Sequence, residues 1–258
     1  MTEFLSDDPQ AKNQILRHRQ IWAEKPVLRR IYNEEFFSRL HAHKVPGGAS
    51  IEIGGGPGFL RELIPEVIST DLIRVPGLQA SVDAQRLPFK SGSVSNILGQ
   101  DVLHHLASPM RFLKETERVL RPGGRLVLVE PWVTPFSYVI YRYLHQEDCD
   151  LSARPLDIEK AHLSKMAFEG NQAIPYLLFS KKYVSHTMAM LPSLRVVVLE
   201  RFCLFAYLLS FGFKRLNFLP EALYPAVHWL ERVSLPLWRR VAALRILLVI
   251  EKTADGER

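Results

Sequence analysis

Ser50-Ile51-Glu52-Ile53-Gly54-Gly55-Gly56-Pro57-Gly58-Phe59-Leu60 is the stretch on which the fold turns. A short apolar run holds one acid, Glu52. A turn carrying Gly54, Gly56 and Gly58 comes next, followed by an amphipathic segment. The pattern predicts a buried strand that passes into a helix through a loop almost free of side chains. A ligand can lie against such a backbone, and a following helix would offer free N–H groups and a positive dipole end. The dinucleotide fingerprint G-x-G-x-x-G, started at Gly54, requires glycine at position 59, where Phe59 stands. The spacing is instead E-x-G-x-G-x-G, which disfavours a nicotinamide-dependent oxidoreductase.

Outward from this loop, Lys44-Val45-Pro46-Gly47-Gly48 breaks a helical region, residues 1–47. In that arm Trp22, Val27, Ile31, Tyr32, Phe36 and Leu40 recur at near-helical spacing, suited to covering a sheet or the mouth of a site. Downstream, strands are predicted near 50–54, 67–71, 79–82, 94–99 and 125–130, alternating with helices. Their apolar runs are continuous, as expected of strands covered on both faces. Residues 108–120 read as a helix. Residues 132–193 read as a mostly helical insertion, and 194–200 and 245–251 as the last two strands. Residues 201–244 read as a second helical elaboration. Within them, Phe202–Phe213 suits a core helix and is shorter than the roughly 18 uninterrupted apolar residues of a membrane span.

Five segments, in order across residues 48–131, resemble the motifs of the class I S-adenosylmethionine-dependent methyltransferases of the type 11 kind. They are the glycine loop, Val67–Asp71, Val82–Phe89, Val94–Leu106 and Arg118–Pro131. The resemblance implies an α/β, Rossmann-like, doubly wound seven-stranded sheet of order 3-2-1-4-5-7-6 with strand 7 antiparallel. It also implies S-adenosylmethionine as donor and S-adenosylhomocysteine as product. Glu52, Gly54, Gly56, Gly58, Asp71, Asp83, Ala84 and Gln100 are then the candidate cofactor residues. A carboxylate at the end of the second strand, Asp71, can accept from both ribose hydroxyls, and by resemblance Asp83 accepts from the adenine amine. The methionyl carboxylate needs backbone N–H donors. The amine needs acceptors, such as Glu52 through water or the neighbourhood of Gly54 and Gln100. The sulfonium needs neither base nor metal, so the protein must chiefly align donor and acceptor.

Three histidines are the candidate catalytic groups. His104 and His105 follow the fourth strand in a Leu-His-His pattern common in the resembled family, either as packing groups or as a base. His145 follows the fifth strand and would share a helical face with Tyr141. With an ordinary pKa near about 6.5, it could take the proton of a methylated hydroxyl. No His, Cys or carboxylate spacing predicts a metal site, and Cys149 and Cys203 give no disulfide framework. Gln100-Asp101-Val102-Leu103 stands where an Asn-Pro-Pro-Tyr motif would mark amino-methylation of nucleic-acid bases or protein glutamine.

The net charge of +6 is unevenly placed: residues 1–150 carry 18 basic and 18 acidic residues, whereas 151–258 carry 15 and 9. The basic excess sits beside bulky apolar residues, as in Leu235-Pro236-Leu237-Trp238-Arg239-Arg240, which suits either a solvated face or anionic partners, including a peripheral membrane contact. No apolar leader is visible near the start, so the expected location is cytoplasmic. One domain over residues 1–258 is expected, with 1–47 an arm, 48–131 the cofactor core, and 132–193 with 201–244 the acceptor side. The expected acceptor is a small molecule, with a hydroxyl the first choice. Gly170-Asn171-Gln172-Ala173-Ile174-Pro175 with Leu177-Leu178-Phe179 is similar to stretches in bacterial methyltransferases of surface-saccharide or lipid-linked glycan pathways. The rival readings are an RNA methyltransferase, for which no added RNA-binding module is visible, and a non-catalytic S-adenosylmethionine-binding protein.

Overall fold

A computed structural model describes residues 8–157, 169–203 and 205–254. The chain begins with α1 (Pro9–Glu24), whose first turn is capped by Asp8 accepting from the amides of Gln10 and Ala11, with Pro9 at the position where its missing N–H costs nothing. Next come α2 (Pro26–Ile31), a π-helical turn (Tyr32–Phe37) and α3 (Ser38–His43).

The sheet contains β1 (Ala49–Ile53), β2 (Ile68–Asp71), β3 (Ala80–Ser81), β4 (Val94–Gln100), β5 (Leu120–Pro131), β6 (Leu194–Phe202) and β7 (Arg245–Lys252). Its order is β3-β2-β1-β4-β5-β7-β6. Strands β1 to β5 pair in parallel, and β7 runs antiparallel to both β5 and β6, as the resemblance implied. The runs look continuous because both faces are buried. Leu126 and Leu128, with Ile246, Leu248 and Ile250, pack on one side; Val127 and Val129, with Leu247 and Val249, pack on the other.

The two faces are covered differently. The first is packed by α4 (Pro109–Val119), through Phe112, Leu113 and Val119, and by α6 (Ile174–Phe179), through Leu178 and Phe179. The second is packed by the N-terminal arm, through Trp22, Leu28, Ile31, Tyr32, Phe36 and Leu40.

Here the expected strand–helix alternation needs correcting. After β1 only a 3₁₀ turn forms, Phe59–Glu62, and no α-helix follows β2 or β3. Pro57, Pro65, Pro76 and Pro88 interrupt these connections, removing donors and fixing φ where a helix would have to run on. The long-helix dipole expected beyond the glycine loop is therefore absent, and the arm takes the vacant layer. Trp22 stacks on Phe59 with ring centroids 4.0 Å apart and planes 8° apart, so the residue in place of a third glycine is the arm's anchor.

The remaining elements are α5 (Pro135–Tyr143), α7 (Val184–Ala189), α8 (Ala206–Ser210) and α9 (Tyr224–Trp238). The first insertion is helical as expected over α5, α6 and α7; residues 158–168 lie outside the described residues, as do 1–7 of the arm. In α5, Thr134 and Ser137 form a reciprocal capping box. The end of α1 is tied to the far side of the chain by the buried Lys25 ammonium, which donates to the carbonyls of Ser210, Gly212, Lys214 and Leu216. Among the described residues, no helix is long and apolar enough to cross a membrane.

Candidate functional site

A cavity of about 1140 Å³ opens at the carboxyl ends of the parallel strands, where the strand order reverses on either side of β1. Glu52, Gly54, Gly56, Asp71, Asp83, Ala84 and Gln100 line it together. Gly58, also expected, lies just behind, with φ +79° and its amide donating to the Gly55 carbonyl at 2.7 Å.

The glycines are required for two distinct reasons. At Gly54, φ is +62° and a Cβ would come within 2.6 Å of Val102 Cγ2, so the strand exit fits only glycine. At Gly56, φ is +48° and nothing lies within 4 Å of a Cβ, so the bare backbone there borders open space. That loop is held by Asp71, whose Oδ2 accepts from the Gly56 amide at 2.8 Å and whose Oδ1 accepts from Ile73 at 2.9 Å. The Gly56 N–H, a candidate donor to a ligand, thus already serves Asp71. Each carboxylate oxygen keeps a further lone pair. Burial raises the Asp71 pKa, against the pull of these amides.

Glu52 is buried inside β1 and accepts from Ser69 Oγ, its cross-strand neighbour on β2. Burial pushes its pKa up to about 7, with the Ser69 bond opposing. Asp83 Oδ1 accepts from the Gln85 amide at 2.8 Å. At the end of β4, the buried Oε1 of Gln100 has no hydrogen-bond partner. A buried acceptor left open on a cavity wall is a place for a ligand donor. With the open glycine edge and two carboxylates, it makes the wall suited to a polar adenosyl ligand carrying an ammonium.

The rest of the site gathers residues from the turn after β4, from β5 and the segment after it, and from β7. Oε1 of Glu130 accepts from the amides of Val102 and Leu103 at 2.9 and 2.8 Å, and Oε2 lies 2.7 Å from His104 Nδ1. His104 Nε2 is 3.3 Å from Glu147 Oε2. Burial alone would lower the His104 pKa, but bonds to Glu130 and Glu147 outweigh it and raise it to about 9. The same contacts hold Glu147 down at about 2 despite its burial. Both ring nitrogens of His104 are thus engaged by carboxylates, the arrangement of a positioning group.

His105 and His145 also line the cavity. His105 Nε2 is 3.9 Å from Glu147 Oε2. His145 lies past the end of α5, not within it, yet its ring still meets Tyr141 edge-on at 6.0 Å. Its Nδ1 accepts from the Glu147 amide at 3.2 Å, and burial holds its pKa below the ordinary value. His145 is thus neutral at pH 7, with the ring proton on Nε2.

Sequence reasoning passed over Glu130, Glu147, Asp101 and Arg245. Glu130 carried the same signal as Glu52, an acid within an apolar strand. Asp101, at φ +53°, pairs with the buried Arg245, whose guanidinium sits 4.9 Å over the Tyr207 ring. Two groupings bring one ligand atom per residue within 4.8 Å of one another: His104, His105 and Glu147, and Asp101, His104 and Glu130. His104 belongs to both groupings and would offer a cation a lone pair only after losing its proton.

With this geometry in view, residues 51–128 match the family model described as a methyltransferase domain. Over that stretch the chain is similar to a methyltransferase domain. The match to the methyltransferase domain ends at Leu128, just before Glu130. An uncharacterized methyltransferase of Mycobacterium sp. (strain KMS) is 33% identical over 108 residues, 36% of this chain and 43% of that protein. A squalestatin tetraketide synthase of Cochliobolus lunatus is 28% identical over 122 residues, 36% of this chain and 5% of that protein. The chain spans less than half the length of these relatives. Among solved structures, the S-adenosylmethionine-dependent methyltransferase of Thermotoga maritima described as a possible histamine N-methyltransferase superposes with a TM-score of 0.53 at 14% identity. The match covers 95% of this chain and 99% of that one. A methyltransferase from Archaeoglobus fulgidus gives 0.51 at 15% identity, over 84% and 92%. At these identities the likeness is one of fold.

Proposed function

We propose that the chain transfers the methyl group of S-adenosylmethionine to a hydroxyl of a small-molecule acceptor, saccharide-borne or lipid-linked. The observation that carries this is the single cavity that runs from the glycine loop to the histidines after β4 and β5. Its volume exceeds the roughly 300–1,000 Å³ of most ligand pockets, leaving room for an acceptor beside an adenosyl ligand.

When bound, the donor supplies a methyl group on sulfonium sulfur, an excellent leaving group. The chain's own residues do the rest. The Gly54–Gly58 backbone and Gln100 Oε1 face the methionyl end, Glu52 supports the amine, Asp71 takes the ribose and Asp83 with Ala84 the adenine. The proton of the methylated hydroxyl passes to a neutral imidazole lining the same cavity. His145 qualifies when its Nδ1 exchanges the Glu147 amide for the acceptor hydroxyl, and His105 is the second candidate. Glu130 holds His104, which in turn holds Glu147. The helical segments within 132–193 and 201–244 form the acceptor side.

Titration calorimetry with S-adenosylmethionine, S-adenosylhomocysteine and NAD tests the reading. The two adenosyl ligands are expected to bind in the micromolar range and NAD far more weakly. Preferential NAD binding would overturn it.

A further inference from the structure

Helix α9 is apolar on the face it turns to solvent. Toward the protein it turns Tyr224, Val227 and Leu235, which join the core, together with the polar His228, Glu231 and Ser234. His228 Nδ1 lies 3.0 Å from Glu35 Oε1, and Glu231 Oε2 accepts from the amides of Phe205 and Ala206 at 2.9 Å each, capping α8. Toward solvent it presents Trp229, Leu230, Val233 and Leu237, with Trp229 65% and Leu237 77% exposed. A helix with water on its outer side carries charged and polar residues there instead.

The exposed apolar surface does not stop at α9. The Phe136 amide donates to the Val241 carbonyl at 2.9 Å, joining the end of this segment to α5. There Phe136, Val139, Tyr143 and Leu144 are exposed, and Leu144 lines the cavity. On another side, exposed Phe218 meets Phe211 edge-on at 5.1 Å, and Phe211 lines the cavity as well. Exposed apolar residues therefore reach the cavity lining at two places, Leu144 and Phe211. Lys214, Arg215, Arg232, Arg239 and Arg240 are exposed around them, whereas Glu221 is the one exposed acid between 214 and 241.

We propose that this face docks on an anionic lipid surface, with α9 lying in the interfacial plane and the cavity mouth turned toward the lipid. Exposed tryptophan and leucine sink into the boundary between headgroups and acyl chains, and flanking arginines meet the anionic headgroups. A second copy fits this face less well, because a two-fold interface across it would set the same arginines against one another. The docking stands apart from methyl transfer, since vesicle binding requires neither donor nor acceptor.

Flotation of the full chain with vesicles of phosphatidylcholine, alone or mixed with phosphatidylglycerol, tests it. The wild type is expected to float with the mixed vesicles, less so at high salt. Its emission is expected to shift to the blue, because Trp229 and Trp238 are exposed while Trp22 and Trp132 are already buried. The combined variant Leu230→Gln, Val233→Gln, Leu237→Gln is expected to lose binding while keeping its circular dichroism and S-adenosylhomocysteine affinity. Replacing Arg232, Arg239 and Arg240 by Gln is expected to lower partitioning into mixed vesicles by roughly five-fold per arginine. Three results would overturn the proposal: no flotation of the wild type, equal flotation of the glutamine variants, or a dimer in sedimentation equilibrium that the Leu230→Gln, Val233→Gln, Leu237→Gln variant abolishes.

Discussion

The imidazole Nδ1 of His104 is held 2.7 Å from Oε2 of Glu130, both side chains buried at the junction of two strand ends. The other Glu130 oxygen closes the turn after β4 by accepting from Val102 and Leu103. Glu130→Ala would strand an imidazolium and two amides at once. The expected cost is about 3–5 kcal/mol, as for other buried pairs broken by removing one partner. Urea unfolding measures it, and a loss below about 1 kcal/mol would show that the carboxylate is not structural.

The same residue predicts a pH dependence. His104 is raised from its ordinary 6.5 to about 9, so between these values the folded state holds a proton that the unfolded chain has released. Its contribution to stability is complete below pH 6.5 and is lost as pH rises through about 9. The urea midpoint is expected to fall over that window in the wild type and to stay flatter in His104→Gln. Parallel curves would assign the slope to other groups.

Asp71 organises the loop that it would share with a ribose. Asp71→Ala is expected to weaken S-adenosylhomocysteine by roughly 1–3 kcal/mol, the range for a hydrogen bond to a charged acceptor. Asp71→Asn keeps the shape and one acceptor oxygen, so it should retain the fold and lose part of that affinity. Calorimetry that shows wild-type affinity in both variants would remove Asp71 from the ribose site.

Glu52 predicts proton release on binding. Its pKa, raised from 4.5 to about 7, means that ligand-free stability falls as pH rises through that interval. An ammonium drawn to the ionised form would bind more tightly as pH climbs from about 6 to about 8, with protons expelled. Calorimetry in buffers of different ionisation enthalpy detects the release, and Glu52→Gln is expected to abolish it. Buffer-independent heats in the wild type would detach Glu52 from the amine.

Histidine replacements separate the base from its scaffold. His145→Ala is expected to lower turnover on an identified acceptor while leaving S-adenosylhomocysteine affinity nearly unchanged, since a proton acceptor acts in the transition state. His104→Ala is expected to lower stability as well. If turnover survives His145→Ala and collapses in His105→Ala, the proton goes to His105.

Much of the sheet was legible because parallel strands buried on both faces leave continuous apolar runs, as in Val94–Gln100. The connections were not. The segment after Gly58 has an amphipathic look, but Pro57 and Pro65 leave room for one 3₁₀ turn, and the covering layer arrives from the arm instead. Glu52, Asp71, Asp83 and Gln100 line one cavity because each stands in the last two residues of a strand or just after one, a position fixed by topology. The carboxylate pairs around His104 and Arg245 join residues distant in sequence, where no local period exists to read. Glu130 was the exception: an acid within an apolar strand, overlooked beside the glycine loop.

The clasp of Lys25 on the carbonyls of Ser210, Gly212, Lys214 and Leu216 has a consequence for the order of assembly. Its partners lie 185 to 191 residues further along the chain. Closing a loop that long carries a large entropic cost before any contact rewards it. The ammonium cannot find its carbonyls before residues 210–216 are present. On a ribosome, the motif-bearing half emerges well before residues 210–216, so the wall that contains Phe211 and Phe213 cannot yet exist. A nascent chain would display its glycine loop long before it could enclose anything there.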